Sequence, residues 1–271
     1  MAQATIKIDR ARYVITLDRE RRIIRDGSIL IEGTRIARVD KAAALANVPA
    51  TQVIDARDLV VTPGFVNNHM HVSYAHAVRG IFPDNLDPMI YLGHVFTLQG
   101  AMTEEDEYLT SLLGITELLK YGTTCFLDPG STKFLDTCLR AYEESGCRIV
   151  VGDQVVDREN PLHLPVYPTS EAVRRMEKAI KTYDGALGGR VRAWTMPFDA
   201  SYCSDDLLRE AKRLADSAGT GMTRCTANAT GRGPSSTWPT SASSGRISCW
   251  RTSSTSTIAK STRSPVAARR P

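Results

Sequence analysis

The sequence predicts an α/β chain in which a small β-sandwich precedes a succession of parallel strand–helix units. Three observations carry this reading. Short β-rich runs fill residues 4–62, a strand-then-helix rhythm takes over from Val61, and that rhythm repeats about four times before it stops near residue 223. Alternation of this kind argues for a parallel sheet joined by right-handed crossovers.

Taken in order, Thr5-Ile6-Lys7-Ile8, the run from Tyr13 to Leu17 and Ser28-Ile29-Leu30-Ile31-Glu32 are rich in β-branched residues and of strand length. Gly33-Thr34-Arg35 turns into Ile36–Val39, and the runs Val53–Asp55 and Leu59–Val61 continue the pattern. Residues 1–62 therefore read as a β-sandwich of meandering hairpins. Beyond them, Thr103 caps a helix whose first turn, Glu104-Glu105-Asp106, is acidic where the helix dipole favours it. Its residues Leu109, Leu112, Leu113, Thr116 and Leu119 recur at steps of three and four, which predicts the core-facing stripe, and Gly122 ends it. A strand over 123–128, a helix over 133–144, a strand over 148–152 and a helix over 170–183 follow. The next strand covers 191–196, and the last helix, from Ser204, buries Leu207, Leu208, Ala211, Leu214 and Ala215. Gly219–Thr223 would open a fifth strand. A closed eight-stranded barrel takes roughly 250 residues, so residues 63–223 read as the first half of one: a truncated (β/α)8 TIM barrel.

Charge divides the chain at one point. Asp216 is the last acidic residue, and residues 217–271 carry eight basic side chains and 22 Ser or Thr among 55 positions. Residues 224–271 hold no helical or strand period, and the fifth strand breaks off inside itself. That composition reads as coding sequence translated out of frame beyond about residue 223. The alternative is a basic tail that binds nucleic acid or a membrane surface, against which stand the dispersed charges and Trp238, Cys249 and Trp250. There is no apolar run of membrane-spanning length, no secretory leader, and no paired spacing among the six cysteines. These predict a cytoplasmic protein with free thiols.

The chemistry centres on Pro63-Gly64-Phe65-Val66-Asn67-Asn68-His69-Met70-His71. Residues two apart in a strand share a face, so His69 and His71 project together at the end of the first barrel strand. Two neutral imidazoles so close make half of a site for a borderline cation such as zinc. On spacing alone the pair equally suits two hydrogen-bonded histidines of an ordinary strand.

The run resembles the PGxxxxHxH motif of the amidohydrolase superfamily, and within it the branch of cytosine, guanine and S-adenosylhomocysteine deaminases and triazine chlorohydrolases. Arg79-Gly80 and the helix leading into Gly122-Thr123-Thr124 add to the resemblance, which covers about residues 4–223. It implies one divalent metal, zinc or iron, held by His69, His71 and a further His from strand five, with a His and an Asp from later strands nearby. It implies that water activated there attacks an electron-poor carbon of a small heterocyclic substrate, releasing ammonia, an amine or chloride, with a Glu shuttling protons. Homo-oligomers suit that branch; neither a membrane nor nucleic acid is an expected partner. The sequence departs from this pattern: its histidines are 69, 71, 76, 94 and 163, and no acid follows 216. The expectation is a metal-dependent hydrolase by ancestry whose chain as written is inactive. The competing expectation is a non-catalytic binding protein using the half-barrel and basic tail.

Secondary candidates lie between the first strand and its helix. His76 and His94 fall in the segment that covers the pocket mouth, and Gln99 sits where a related branch presents a polar substrate contact. All three are substrate-binding candidates. Asp128, in Asp-Pro-Gly, and Asp199 end strands at the catalytic face and read as turn carboxylates. His163, between Pro161 and Pro165, reads as a loop residue.

Overall fold

A computed structural model describes residues 5–83 and 85–223 and the backbone of 256–260. It divides into two units, one built on Met1–Phe65 with Ile247–Pro271 and the other on Val66–Arg246. The expectation of an aberrant tail over 224–271 lies, apart from that backbone stretch, outside the described residues.

In the first unit, β1 (Thr5–Ile15), β2 (Ile23–Glu32) and β3 (Arg35–Lys41) form an antiparallel meander, with Thr5 opposite Glu32, Ile15 opposite Ile23 and Gly27 opposite Lys41. A register shift between Ile8 and Ala11 bends β1. The short α1 (Ala42–Leu45) then carries the chain back to the starting end of β1. As a result β4 (Gln52–Asp55) and β5 (Leu59–Pro63) lie parallel to β1 rather than extending the hairpins, β4 along its first half and β5 along its second. Ser256–Lys260 runs antiparallel to β5, and hydrogen bonds join all these strands in one sheet. Ile8, Ala11, Val14, Ile29, Ala56, Leu59 and Val61 form its core.

In the second unit, β6 (Phe65–Asn67) is followed by α2 (Ala75–Val78), α3 (Pro88–Ala101) and α4 (Glu104–Lys120). The strand–helix rhythm then runs β7 (Thr123–Leu127), α5 (Leu135–Ser145), β8 (Arg148–Val151), β9 (Gln154–Val155) and α6 (Thr169–Tyr183). The four-residue α7 (Ala186–Gly189), β10 (Val191–Ala193), β11 (Met196–Pro197) and α8 (Asp205–Ser217) complete it. Spatial order follows chain order, β6-β7-β8-β10, with β7, β8 and β10 parallel and β9 parallel to β11. Thr195 bridges to Met222 in parallel where a fifth strand was expected to begin. The caps are those the sequence predicts. Thr103 and Asp106 close a capping box at the start of α4, and the Ser204 side chain accepts from Leu207 N at the start of α8.

Two elements depart from the sequence reading. The segment expected as an irregular cover holds the fourteen-residue helix α3, with Pro88 in its first turn and the Asp87 carboxylate accepting from Met89 N and Ile90 N. On α4 the predicted stripe holds only in part: Leu112 and Leu119 are half-buried against the core, while Leu109 and Leu113 are 53% and 56% exposed. The buried face carries Glu107, Tyr108, Ser111, Gly114 and Ile115. The small and polar residues win because each meets a partner. Tyr108 hydroxyl donates to Glu144, Ser111 contacts Cys138, and Gly114 lets the helix approach the Val72 carbonyl and His76. Phe126, Cys138, Tyr142, Ile149 and Val191 pack with Ile115 into the main core of the unit.

Candidate metal centre

The chain leaves β6 at Asn67, whose side-chain oxygen accepts from His69 N at 3.0 Å. Met70 N then donates to Leu127 O at 2.9 Å, which holds this stretch beside the end of β7. Met70 packs on the core, and the side chains on either side of it project the opposite way. His69 and His71 thereby converge, with Nε2 atoms 3.2 Å apart and rings edge to face at 83°. One cation bound tetrahedrally at about 2.0–2.1 Å from two imidazole nitrogens would separate them by about 3.3 Å. The two nitrogens fit that requirement.

The second nitrogen of His71 is occupied. Nδ1 shares a 2.8 Å hydrogen bond with Ser131 Oγ, and the ring stacks on Tyr74 with centroids 5.0 Å apart. Burial pushes the His71 imidazole down to about 4, and neighbouring His69 adds to this, so it is neutral at physiological pH. A neutral imidazole with one nitrogen tied to a neighbour and a lone pair on the other is the form that ligates metal, and here that other nitrogen faces His69.

Ser131 belongs to the loop after β7, organised by Asp128, which is 1% exposed. Asp128 Oδ1 accepts from Gly130 N, Ser131 N and Ser131 Oγ, each at 3.1 Å, and Oδ2 accepts from Val72 N and Thr132 Oγ1, each at 3.2 Å. Burial raises the Asp128 pKa, and the hydrogen bonds from Ser131, Thr132 and Val72 hold it back. Gly130 makes the turn with φ +87°, and a Cβ there would stand 2.9 Å from Met196 Sδ and 3.0 Å from Gln154 N.

The structure treats the three substrate-binding candidates differently. Gln99 is buried on α3 and its Nε2 donates to Ser131 O, which joins it to the loop beneath His71. His76 sits on α2 and turns to α4, where its Nε2 pairs with Glu117 Oε2. Arg79 grips the same carboxylate at 2.8 and 3.2 Å. Arg79, then His76, hold the Glu117 carboxyl at about 2. His94 is exposed and stacks on Phe82 with centroids 5.3 Å apart. Asp199 accepts from Ser201 N at 2.7 Å in the turn before α8, and His163 lies in a loop with φ +53°. Ser131 was missed by sequence reasoning; its only signal was its place just after Asp128-Pro129-Gly130. Among the described residues, no group of three or more His, Cys, Asp or Glu side chains is arranged to hold a metal.

Residues 60–230 match the amidohydrolase family. The chain belongs to the amidohydrolase family. This amidohydrolase is 29% identical over 211 residues to a 5'-deoxyadenosine deaminase of Methanosarcina mazei, covering 78% of this chain and 46% of that protein. It is likewise 29% identical over 209 residues to a 5-methylthioadenosine/S-adenosylhomocysteine deaminase of Desulforamulus reducens, covering 76% and 46%. The amidohydrolase chain thus spans just under half the length of these curated relatives. Among solved structures it resembles an atrazine chlorohydrolase from Arthrobacter aurescens TC1 complexed with zinc, with a TM-score of 0.70 at 23% identity over 81% of this chain and 52% of that one. That likeness shows the fold, an α/β fold of TIM-barrel type. Among the described residues no helix is long and apolar enough to cross a membrane.

Proposed function

We propose that this chain carries the first-strand part of a metal centre for hydrolytic deamination of a small heterocyclic substrate of the adenosine type. The observation that carries it is the 3.2 Å convergence of His69 Nε2 and His71 Nε2, with His71 Nδ1 already engaged. The names of the curated relatives favour release of ammonia from a C–N bond over release of chloride, and the zinc of the chlorohydrolase favours zinc as the ion. Such an ion, when bound, supplies activation of water near neutral pH. What the chain's own residues do is hold two nitrogens at ligand spacing, keep His71 neutral by burial, and fix the strand end against β7. His94 remains a candidate substrate contact because its exposed ring has no hydrogen bond among the described residues.

The reading extends to architecture and setting. Residues 63–223 supply about four strand–helix units of the barrel, with residues 1–62 as a separate β domain. Cys138, Cys147 and Cys203 are buried and not in disulfides, which supports a reducing, cytoplasmic setting. Two imidazoles without a third ligand hold a cation weakly, and the sequence has no histidine after 163 and no acid after 216 to complete the set. We therefore propose that the chain as it stands binds zinc through His69 and His71 but does not turn over. Calorimetric titration with zinc should show binding that His71→Ala abolishes, and incubation with 5'-deoxyadenosine and zinc should release no ammonia above background. Equal zinc binding by His71→Ala would overturn the first half, and enzyme-like ammonia release the second.

A further inference from the structure

The hydrogen-bond chain beneath His71 has a direction, and the direction decides which of its ring nitrogens carries the proton. Asp128 is surrounded by five donors: the N–H groups of Val72, Gly130 and Ser131 and the hydroxyls of Ser131 and Thr132. A carboxylate can only accept. The Ser131 hydroxyl has a single hydrogen, and spending it on Asp128 Oδ1 at 3.1 Å leaves only lone pairs toward His71. Turning that hydrogen to His71 instead would set a hydroxyl lone pair against a buried carboxylate oxygen, a costly arrangement. The 2.8 Å contact therefore has His71 Nδ1–H as donor and Ser131 Oγ as acceptor. Gln99 steadies the acceptor by donating to Ser131 O from α3.

We infer that Asp128 and Ser131 are positioning residues that lock His71 in its Nδ1–H tautomer, so that its Nε2 lone pair faces His69, accepting from His69 Nε2 at 3.2 Å in the metal-free chain and open to a cation at the point the two rings share. Its consequence for metal affinity rests on the proposed metal centre; the tautomer assignment does not.

Long-range proton–nitrogen NMR on the full metal-free chain, with labelled histidine, tests the tautomer directly. His71 should show a protonated Nδ1 and an unprotonated Nε2. Ser131→Ala should mix or invert that pattern and weaken zinc binding by roughly 10- to 100-fold. Ser131→Thr, which keeps a hydroxyl, should restore both, and circular dichroism melting checks that all variants fold. A protonated Nε2 in the parent chain, or a Ser131→Ala variant with unchanged nitrogen shifts and zinc affinity within twofold, would overturn the inference. A His71→Ala variant that binds zinc like the parent would sink the metal centre instead, and the nitrogen shifts would still decide the tautomer.

Discussion

His71 and His76 stand five residues apart and are used in opposite ways. His71 meets a neutral hydroxyl through one nitrogen, is held uncharged by burial, and presents its other nitrogen to His69. His76 gives its Nε2 to Glu117, a carboxylate already ionised by Arg79, and its Nδ1 is buried without a hydrogen-bond partner. The first arrangement turns a lone pair toward a second imidazole, as the proposed metal centre requires; the second ties α2 to α4. The difference teaches that a histidine's role is read from what its two nitrogens meet, not from its distance along the chain to a motif.

The comparison breaks if the two residues prove interchangeable. His71→Ala should lower zinc affinity at least about 100-fold, while His76→Ala should leave it within about twofold, both read by calorimetry. The next largest effect falls on the loop that serves His71. Gly130→Ala forces a side chain into a left-handed turn against Met196 and should cost at least about 1–2 kcal/mol in urea unfolding. It should also weaken zinc binding by moving Ser131. Glu117→Gln probes the other histidine. The Glu117 carboxyl lies at about 2 in the fold against an ordinary 4.5, so its contribution is fully present above about 4.5 and is lost as pH falls toward 2. The difference in melting midpoint between parent and Glu117→Gln should accordingly be largest near pH 6 and vanish near pH 2. Because the carboxylate is solvent-accessible, added salt should shrink it. Smallest of all, Leu113→Ser on the outward face of α4 should change unfolding free energy by no more than about 0.5 kcal/mol. A loss of several times that would restore Leu109 and Leu113 to the buried face assigned to them by periodicity.

Much of the second unit was legible because its signals are local. Thr103 and Ser204 cap the helices they precede, and the strands at Thr123–Leu127 and Arg148–Val151 are short β-rich runs between helices. The helix α3 was not legible, because Met89, Ile90, Leu92, Val95, Phe96 and Leu98 make it apolar on every side and leave no stripe to read. The buried face of α4 was legible only in part for the converse reason: Leu112 and Leu119 do pack on the core, but the outward Leu109 and Leu113 keep the same helical spacing, while the fully buried side depends on partners far away in sequence, such as Glu144 and Cys138. The site divides in the same way. His69 and His71 share a strand end and could be paired from spacing. Ser131 lies sixty residues from His71 and is brought to it only by the pairing of the strand end with β7.

Lys133 closes the same loop. Its ammonium reaches the carbonyls of Gln99, Gly100 and Met102 at 3.2, 3.1 and 2.9 Å, gathering the trailing end of α3. Its own N–H, with that of Phe134, is fixed by Glu107 at the head of α4. Mechanically this is a clasp. For α3 to swing outward, one ammonium must release three carbonyls at once, two residues from the serine beneath His71. The residue that holds the end of α3 thus also sits on the loop that positions the His71 ring.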